Sequence, residues 1–252
     1  MAGILLVHGA WHGPWCWDGF AQRLAGAGHD VRTVRLRGHD GSPGRLWYRV
    51  SDYVRDVSEA ANRFPESPVV VGHSLGGLVV AKYLERGRAK GAVLLAPIPQ
   101  AGSLTAIIRL ASRHPLILAR ANLTLRLRPF VTSRALVREL FFTPDTSQPL
   151  VDDVWGRLQD ESYLAFLDTL VVRARPGTIR VPVLVMGAEH DRFFTAAEVR
   201  RTAAAYDTRA EMVAGIGHDM MLDQGWRQVA DRIDTWITDF KSTHRATAVD
   251  GT

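Results

Sequence analysis

Residues 72–76 read Gly-His-Ser-Leu-Gly, and they stand between a short apolar run and a helical apolar pattern. The pattern G-x-S-x-G at such a junction is typical of a nucleophile elbow, a sharp turn that lifts the serine above a sheet. Side chains at Gly72 and Gly76 would collide with neighbouring backbone in so tight a turn. A glycine-rich turn with an incidental serine would explain these glycines alone. We therefore predict that Ser74 is a nucleophile and that the amide N–H of Leu75 stabilises an oxyanion.

A serine hydroxyl needs a general base, and that base needs an acid to orient it. Beside this elbow the acid and then the histidine come later in the chain. His218, between the last predicted strand and the final predicted helix, is the predicted base. Glu189 and Asp191 are both candidate acids after Gly187, and we favour Asp191 because its loop is long enough to turn back toward His218. The other histidines after the elbow lie in less suitable segments: His114, His190 and His244.

The segment His-Gly-Ala-Trp-His-Gly-Pro-Trp-Cys-Trp follows the first predicted strand and supplies the second oxyanion donor. Its position after His8 and Gly9 predicts that the backbone N–H of Ala10 lies opposite that of Leu75. We interpret His8 and His12 as residues that shape this loop by hydrogen bonding, not as catalysts. The tryptophans of the segment are predicted to pack the first helix onto the core: Trp11, Trp15 and Trp17.

The composition is typical of a soluble globular protein, with 46% hydrophobic and 23% charged residues in a chain of 252. The formal charge is +5, but the basic residues are scattered, so we expect no nucleic-acid partner. The single cysteine, Cys16, permits neither an internal disulfide nor a cysteine-based zinc site, and we expect no metal or other cofactor. The N-terminal apolar run is too short for a signal peptide, and no segment is apolar enough to span a membrane. We therefore expect a cytoplasmic protein, of an oligomeric state that the sequence does not indicate.

Short apolar runs alternate with longer amphipathic segments, which predicts an α/β fold with a mostly parallel sheet of about six strands and helices on both faces. The predicted strands are Gly3–Val7, Asp30–Arg35, Val69–Val71, Ala92–Ala96, Val183–Met186 and Ala210–Val213. The predicted helices cover 20–28, 51–64, 78–87 and Trp226–Phe240.

The alternation breaks between the fourth and fifth predicted strands, where several short helical stretches occur. We interpret 98–176 as a helical cap inserted into a core formed by 1–97 and 177–240. The polar, aperiodic residues 241–252 are predicted to form a loose tail.

The first half of this cap is basic, because residues 97–138 contain no Asp, Glu or Lys. Seven arginines fall there: Arg109, Arg113, Arg120, Arg126, Arg128, Arg134 and Arg138. One interpretation is a helix pair with an apolar face on the core and a solvated basic face. The sharper hypothesis is a positive, apolar lid that receives an anionic amphiphile, such as an acyl-CoA, a lysophospholipid or a carboxylated ester.

Three motifs, HGAWHGPWCW, GHSLGG and GHDMML, together with the spacing of Asp191, resemble those of the α/β-hydrolase superfamily over nearly the whole chain. Within it the chain is similar to the plant methyl-ester esterases and hydroxynitrile lyases. The resemblance implies a fold without the N-terminal antiparallel strands of larger members. It also implies Ser74 as nucleophile, His218 as general base and then acid, and Asp191 as its orienting partner, with Ala10 and Leu75 holding the oxyanion.

Two departures argue against lyase chemistry. Those lyases carry a threonine where Gly9 stands and a lysine where Asp219 stands, so the cation that would stabilise cyanide is missing. Relatives with an aspartate at the elbow, the haloalkane dehalogenases and epoxide hydrolases, do not match Ser74. The sequence thus favours a serine hydrolase of a small or amphiphilic carboxylic ester. The alternatives are a thioesterase or lactone hydrolase, a cofactor-free haloperoxidase, a ligand-binding receptor and a biosynthetic cyclisation protein.

Overall fold

The computed structural model describes residues 1–40 and 47–249, with only the backbone described for 240–249. Within these residues, six strands form one sheet in which every neighbouring pair is parallel. The strands are β1 (Gly3–Val7), β2 (Asp30–Val34), β3 (Val69–His73), β4 (Gly91–Leu95), β5 (Val183–Ala188) and β6 (Ala210–Val213). Their order across the sheet is β2-β1-β3-β4-β5-β6, so the predicted α/β fold is confirmed.

Ten α-helices occur in the described chain. They are α1 (Asp18–Gly26), α2 (Val50–Ala61), α3 (Leu75–Leu84), α4 (Leu104–Arg113), α5 (Pro115–Thr124), α6 (Arg134–Phe141), α7 (Gln148–Arg157), α8 (Tyr163–Val171), α9 (Ala196–Ala205) and α10 (Trp226–Val249). Helices α4 to α8 all lie between β4 and β5, in the segment 98–176 that we call the cap segment.

Strand β1 shows why helices cover both faces of the sheet. Its side chains point alternately to opposite faces. Leu5 and Val7 join an apolar cluster that includes residues of α2, α3 and α9, whereas Ile4 and Leu6 join a second cluster with residues of α1 and α10. All four side chains are fully buried, which explains why the strand reads as a continuous apolar run.

The order of the strands places a crevice between β1 and β3. From β1 the chain moves to β2 on one side and then returns to β3 on the other side, with Val7 paired to Gly72. In open parallel sheets, ligands bind outside the carboxyl ends of the strands at such a reversal. The loop that holds Ala10 follows β1, and Ser74 directly follows β3. The topology therefore brings the two segments together at the carboxyl ends of β1 and β3.

The last helix is longer than predicted. We expected a helix over Trp226–Phe240 and a loose tail over 241–252, but α10 continues to Val249. Residues 241–249 contain neither glycine nor proline, so the chain has no strong helix breaker there. Residues 250–252 lie outside the described residues. Neither α10 nor any other described helix is both long enough and apolar enough to cross a bilayer.

Candidate active site

The turn at Ser74 has the backbone geometry that the glycine pattern predicts. Strand β3 ends at His73 and α3 begins at Leu75, while Ser74 between them has φ 52° and ψ −116°. A side chain is strained in this region, which marks positions that the surrounding structure holds in place. A Cβ atom built on Gly72 would lie 2.4 Å from the carbonyl oxygen of Gly76. Only glycine fits there, because a backbone atom cannot move aside.

The structure brings Ser74, His218 and Asp191 into one hydrogen-bonded chain. The distance from Ser74 Oγ to His218 Nε2 is 3.0 Å, and that from His218 Nδ1 to Asp191 Oδ2 is 2.9 Å. The side chains of His218 and Asp191 are almost completely buried. The alternative acid, Glu189, is more than half exposed and accepts a hydrogen bond from the amide of Gly215 instead.

Backbone amides hold the carboxylate of Asp191 in a fixed orientation. Its Oδ1 atom accepts hydrogen bonds from the amides of Phe193 at 2.7 Å and Phe194 at 3.0 Å. The other oxygen, Oδ2, is then directed to the imidazole of His218. With Nδ1–H donating to this carboxylate, Nε2 of His218 keeps a lone pair that accepts the Ser74 hydroxyl proton.

A second buried pair lies behind His218. His12 Nδ1 donates to the carbonyl oxygen of Ala10 at 2.8 Å, and His12 Nε2 donates to Asp219 Oδ2 at 3.0 Å. Burial disfavours the imidazolium, but the neighbouring Asp219 carboxylate outweighs it and raises the pKa of His12. Burial likewise works against the carboxylate, while His12 lowers the pKa of Asp219. The pair therefore links the loop after β1 to the residue that follows His218.

His73, which stands between Gly72 and Ser74 in the elbow motif, contacts His218 from another side. Its Nε2–H donates to the backbone carbonyl of His218 at 2.9 Å, and the two rings lie 4.8 Å apart. Burial, assisted by the nearby His218, lowers the pKa of His73 to about 3. His73 is thus a neutral donor that positions the backbone of His218. The sequence analysis assigned no role to it.

Ala10 and Leu75, the two predicted oxyanion donors, line the same cavity as Ser74 and His218. Leu75 is the first residue of α3, so its N–H has no acceptor within the helix and remains available. The loop around Ala10 is tied to the cap segment through Trp11, whose carbonyl accepts a hydrogen bond from the amide of Gln159 at 2.9 Å.

The three tryptophans of this loop do not share one role. Trp17 is buried against Phe20 of α1, as predicted. Trp11 was expected to pack there too, but its backbone is in the left-handed region, with φ 63°, and its side chain turns into the cavity. Its indole N–H donates to the carbonyl of Leu127 in the cap segment at 3.1 Å. Trp15 packs between the second core cluster and the cap segment.

The cavity above Ser74 is predominantly apolar. Its walls come from the core, from α4 and α8, and from the loops beside them. The residues that line it are Ala10, Trp11, Ser74, Leu75, Ile98, Ser103, Ala106, Ile107, Leu110, Leu127, Phe130, Glu161, Phe166, Thr169, Phe193, Phe194 and His218. An apolar acyl or alcohol group therefore fits beside the hydroxyl of Ser74.

Glu161 is the acidic residue of this lining, and sequence reasoning missed it. Its Oε1 accepts hydrogen bonds from the Tyr53 hydroxyl and from the Ser162 amide, both at 2.6 Å. Its Oε2 lies 3.1 Å from His39 Nε2. Burial opposes ionisation, but His39 and these donors lower the pKa of Glu161. The carboxylate is thus held by partners of the protein itself.

The cap arginines were expected to direct a positive field at the substrate, but no lysine or arginine stands among the described residues that line the cavity. Several of these arginines are instead bound to structural partners. Arg109 pairs with Glu198 at 2.7 Å, and Arg134 pairs with Asp152 at the same distance. Their partners come from α9 and α7, so acids from outside the window 97–138 neutralise these two arginines.

Known proteins match the chain in family and in fold. A model of the Alpha/beta hydrolase family matches residues 4–232. The chain is 36% identical over 92 residues to a carbendazim hydrolyzing esterase of Nocardioides sp. (strain SG-4G), covering 34% of this chain and 37% of that protein. It is 36% identical over 87 residues to methyl jasmonate esterase 1 of Vitis vinifera, covering 33% of each. The matched region thus spans about a third of the length of these curated relatives.

Solved structures share the whole fold at low identity. A methylesterase protein, MES16, from Arabidopsis has a TM-score of 0.71 at 18% identity, covering 96% of this chain and 100% of that one. An extracellular alpha/beta-hydrolase from a Paenibacillus species has a TM-score of 0.72 at 18% identity, covering 92% of this chain and 97% of that one. At this identity the similarity concerns the fold.

Proposed function

Because the chain belongs to the alpha/beta hydrolase family, we propose that it is a serine hydrolase that cleaves a carboxylic ester through an acyl-enzyme. The observation that carries the proposal is the hydrogen-bonded chain from Ser74 through His218 to Asp191, with distances of 3.0 and 2.9 Å. A serine hydroxyl, an imidazole with a free lone pair and a fixed carboxylate in this order form a general-base relay for acyl transfer.

In the first half of the proposed reaction, Ser74 Oγ attacks the ester carbonyl carbon while His218 Nε2 takes the hydroxyl proton. Asp191 stabilises the resulting imidazolium. The carbonyl oxygen gains a negative charge, and the backbone N–H groups of Ala10 and Leu75 stabilise it. The tetrahedral intermediate collapses when His218 gives its proton to the leaving alkoxide. The products of this half are the free alcohol and an ester of Ser74 with the acyl group.

In the second half, water replaces the alcohol. His218 Nε2 takes a proton from this water as the oxygen attacks the acyl carbon, and the same two amides hold the second oxyanion. Collapse breaks the bond to Ser74 Oγ, which recovers its proton from His218. The carboxylic acid leaves, and the enzyme returns to its starting protonation state.

The lining of the cavity supports a small or amphiphilic apolar ester as the substrate. Aromatic and aliphatic side chains surround Ser74, and the nearby carboxylate of Glu161 is already bound by other residues. An anionic group inside the cavity would lack a cationic partner among the described residues. The part of the ester that enters the cavity is therefore uncharged, and any charged group of an amphiphilic ester lies outside it. The names of the carbendazim hydrolyzing and methyl jasmonate esterases are consistent with a small ester of this kind.

A panel of p-nitrophenyl esters from acetyl to dodecanoyl, with a methyl ester, a thioester and a lactone of matched acyl group, tests the proposal. We expect kcat/KM to be highest for an apolar oxygen ester and to fall to background in Ser74→Ala. Higher kcat/KM for the thioester or the lactone would assign one of those alternatives. Binding of the esters without turnover in the wild type would indicate a receptor and overturn the proposal.

A further inference from the structure

The outer surface of the cap segment exposes an unusual number of apolar side chains. Seven of the nine large apolar residues that are exposed in the described chain belong to it. These seven define what we call the cap face: Leu104, Ile108, Leu116, Leu123, Leu125, Leu167 and Val171. Single exposed leucines are ordinary on protein surfaces, but a concentration of this kind marks an interaction site.

Helix α5 carries the most exposed part of the cap face. Leu116 is 83% exposed and Leu123 is 89% exposed. With Arg120 between them, they follow the spacing i, i+4, i+7, so all three lie along one side of the helix. Ala121, by contrast, is fully buried against the rest of the cap segment. The outward side of α5 thus combines bulky apolar groups with a cation.

Helices α4 and α8 connect the cap face to the candidate active site. The Ser103 amide donates to the carbonyl of Thr169 at 3.1 Å, which joins the start of α4 to α8. Ile107 of α4 lines the cavity, whereas the next residue, Ile108, is 58% exposed. Val171 of α8 is exposed in the same way. Helices α4 and α8 thus carry residues of the cap face as well as residues of the cavity wall.

The charged side chain of α5 itself is that of Arg120, which is exposed. Residues 97–138 contain no acidic residue, and Arg120 makes no ion pair with any residue that the structure describes. Arg126 is more than half exposed and lies 3.8 Å from Asp160. Apolar residues interleaved with arginine are the composition that binds at the surface of anionic lipid membranes.

We propose that the cap face docks on the surface of an anionic lipid bilayer. The leucines of α5 enter the region between headgroups and acyl chains, and Arg120 and Arg126 interact with the lipid phosphates. Docking brings the helices that wall the cavity to the source of an amphiphilic ester. The binding step itself requires no hydrolysis, so it is independent of the proposed function.

A second copy of this chain fits the cap face less well. A two-fold symmetric dimer would place the same patch against itself. Arg120 would then approach its own symmetry mate, and it has no ion-pair partner among the described residues to compensate it. An anionic lipid surface provides the negative charge that such a dimer lacks.

Co-sedimentation with vesicles tests the proposal. We expect the wild-type chain to sediment with phosphatidylcholine vesicles that contain phosphatidylglycerol and to remain in the supernatant with phosphatidylcholine alone. The double variant Leu116→Ser, Leu123→Ser should lose about tenfold or more in partition coefficient. The variant Trp47→Ser, which removes an exposed aromatic residue outside the cap segment, should bind like the wild type. Equal binding by wild type and the double variant would overturn the proposal.

A matched pair of double variants tests the contribution of charge to binding. Arg120→Gln with Arg126→Gln should weaken binding to the anionic vesicles and reduce its salt dependence. Arg86→Gln with Arg88→Gln removes the same charge beyond the end of α3, away from the cap face, and should change little. Light scattering in the absence of lipid tests whether a second copy of this chain occupies the cap face instead. A wild-type dimer that the double leucine variant converts to a monomer would assign the cap face to self-association and overturn lipid docking.

Discussion

The Nε2 atom of His12 and the Oδ2 atom of Asp219 lie 3.0 Å apart, and both side chains are fully buried. This contact connects two loops whose relative position matters for the proposed reaction. His12 also holds the carbonyl of Ala10, a predicted oxyanion donor, while Asp219 directly follows His218. A shift of either loop would therefore be transmitted to the other.

Asp219→Asn should lower the free energy of unfolding by about 3 kcal/mol near neutral pH, because a buried charge loses its partner. The effect should depend on pH. The folded-state pKa of His12 is raised, so its stabilisation is fully present below the unfolded value near 6.5 and is lost as pH rises through the folded pKa. Urea unfolding at about pH 6 and about pH 9 measures the difference between the two proteins.

We expect that difference to shrink from the lower to the higher pH. The matched control is Asp152→Asn, which removes the same charge from an exposed pair with Arg134 and should change stability little at either pH. A difference between wild type and Asp219→Asn that stays constant across this range would show that His12 does not carry the charge.

Asp191→Asn should reduce kcat about a thousandfold to ten-thousandfold, because the amide favours the wrong tautomer of His218. Glu189→Gln is the matched control. Its side chain is exposed and bonds to the amide of Gly215, so kcat should stay close to the wild-type value. Thermal unfolding of both variants checks that the fold is retained. If Glu189→Gln were the variant that lost turnover, the assignment of the acid would be wrong.

Gly72→Ala should destabilise the protein by about 1–3 kcal/mol and lower kcat, because the new Cβ cannot be accommodated without moving the elbow. That atom would lie 2.4 Å from the carbonyl oxygen of Gly76. Gly156→Ala in α7 makes the same chemical change where no atom beyond its chain neighbours and its own helix backbone lies within 4 Å of the new Cβ, and it should stabilise by about 0.5–1 kcal/mol. Wild-type stability and kcat in Gly72→Ala would contradict the close approach at the elbow.

For soluble monomeric esters of equal chain length, an anionic and a neutral substrate should show the same salt dependence of kcat/KM. The reason is that no arginine or lysine stands among the described residues that line the cavity. Stopped assays over a range of sodium chloride concentrations measure this. A steeper loss for the anionic ester would restore the hypothesis that cap arginines face the substrate.

Local patterns predicted the sheet and the segments of the candidate site well. Buried parallel strands appear in the sequence as apolar runs. Glycines indicate the elbow around Ser74, and the order of residues along the chain indicates Asp191 and His218. The contacts that the sequence did not reveal join distant positions. His12 and Asp219 are 207 residues apart, and Trp11 and Leu127 are 116 residues apart. Hydrophobic periodicity within a short stretch of sequence contains no information about such long-range contacts.

The cap arginines illustrate the same limit. The window 97–138 is acid-free, so the sequence indicated an unbalanced positive charge. Glu198 neutralises Arg109 from 89 residues away, on a helix that follows the fifth strand. The composition of a segment therefore predicted the charge of that segment, but not the partners that its arginines bind or the side chains that line the cavity.

The most direct test of the central claim is the site of covalent labelling by a fluorophosphonate, read by peptide mass spectrometry together with ester turnover. We predict one adduct, on Ser74, with labelling and turnover both abolished in Ser74→Ala and both strongly slowed in His218→Ala. An adduct on another residue, or turnover that persists in Ser74→Ala, would contradict the claim that Ser74 is the nucleophile of an ester hydrolase.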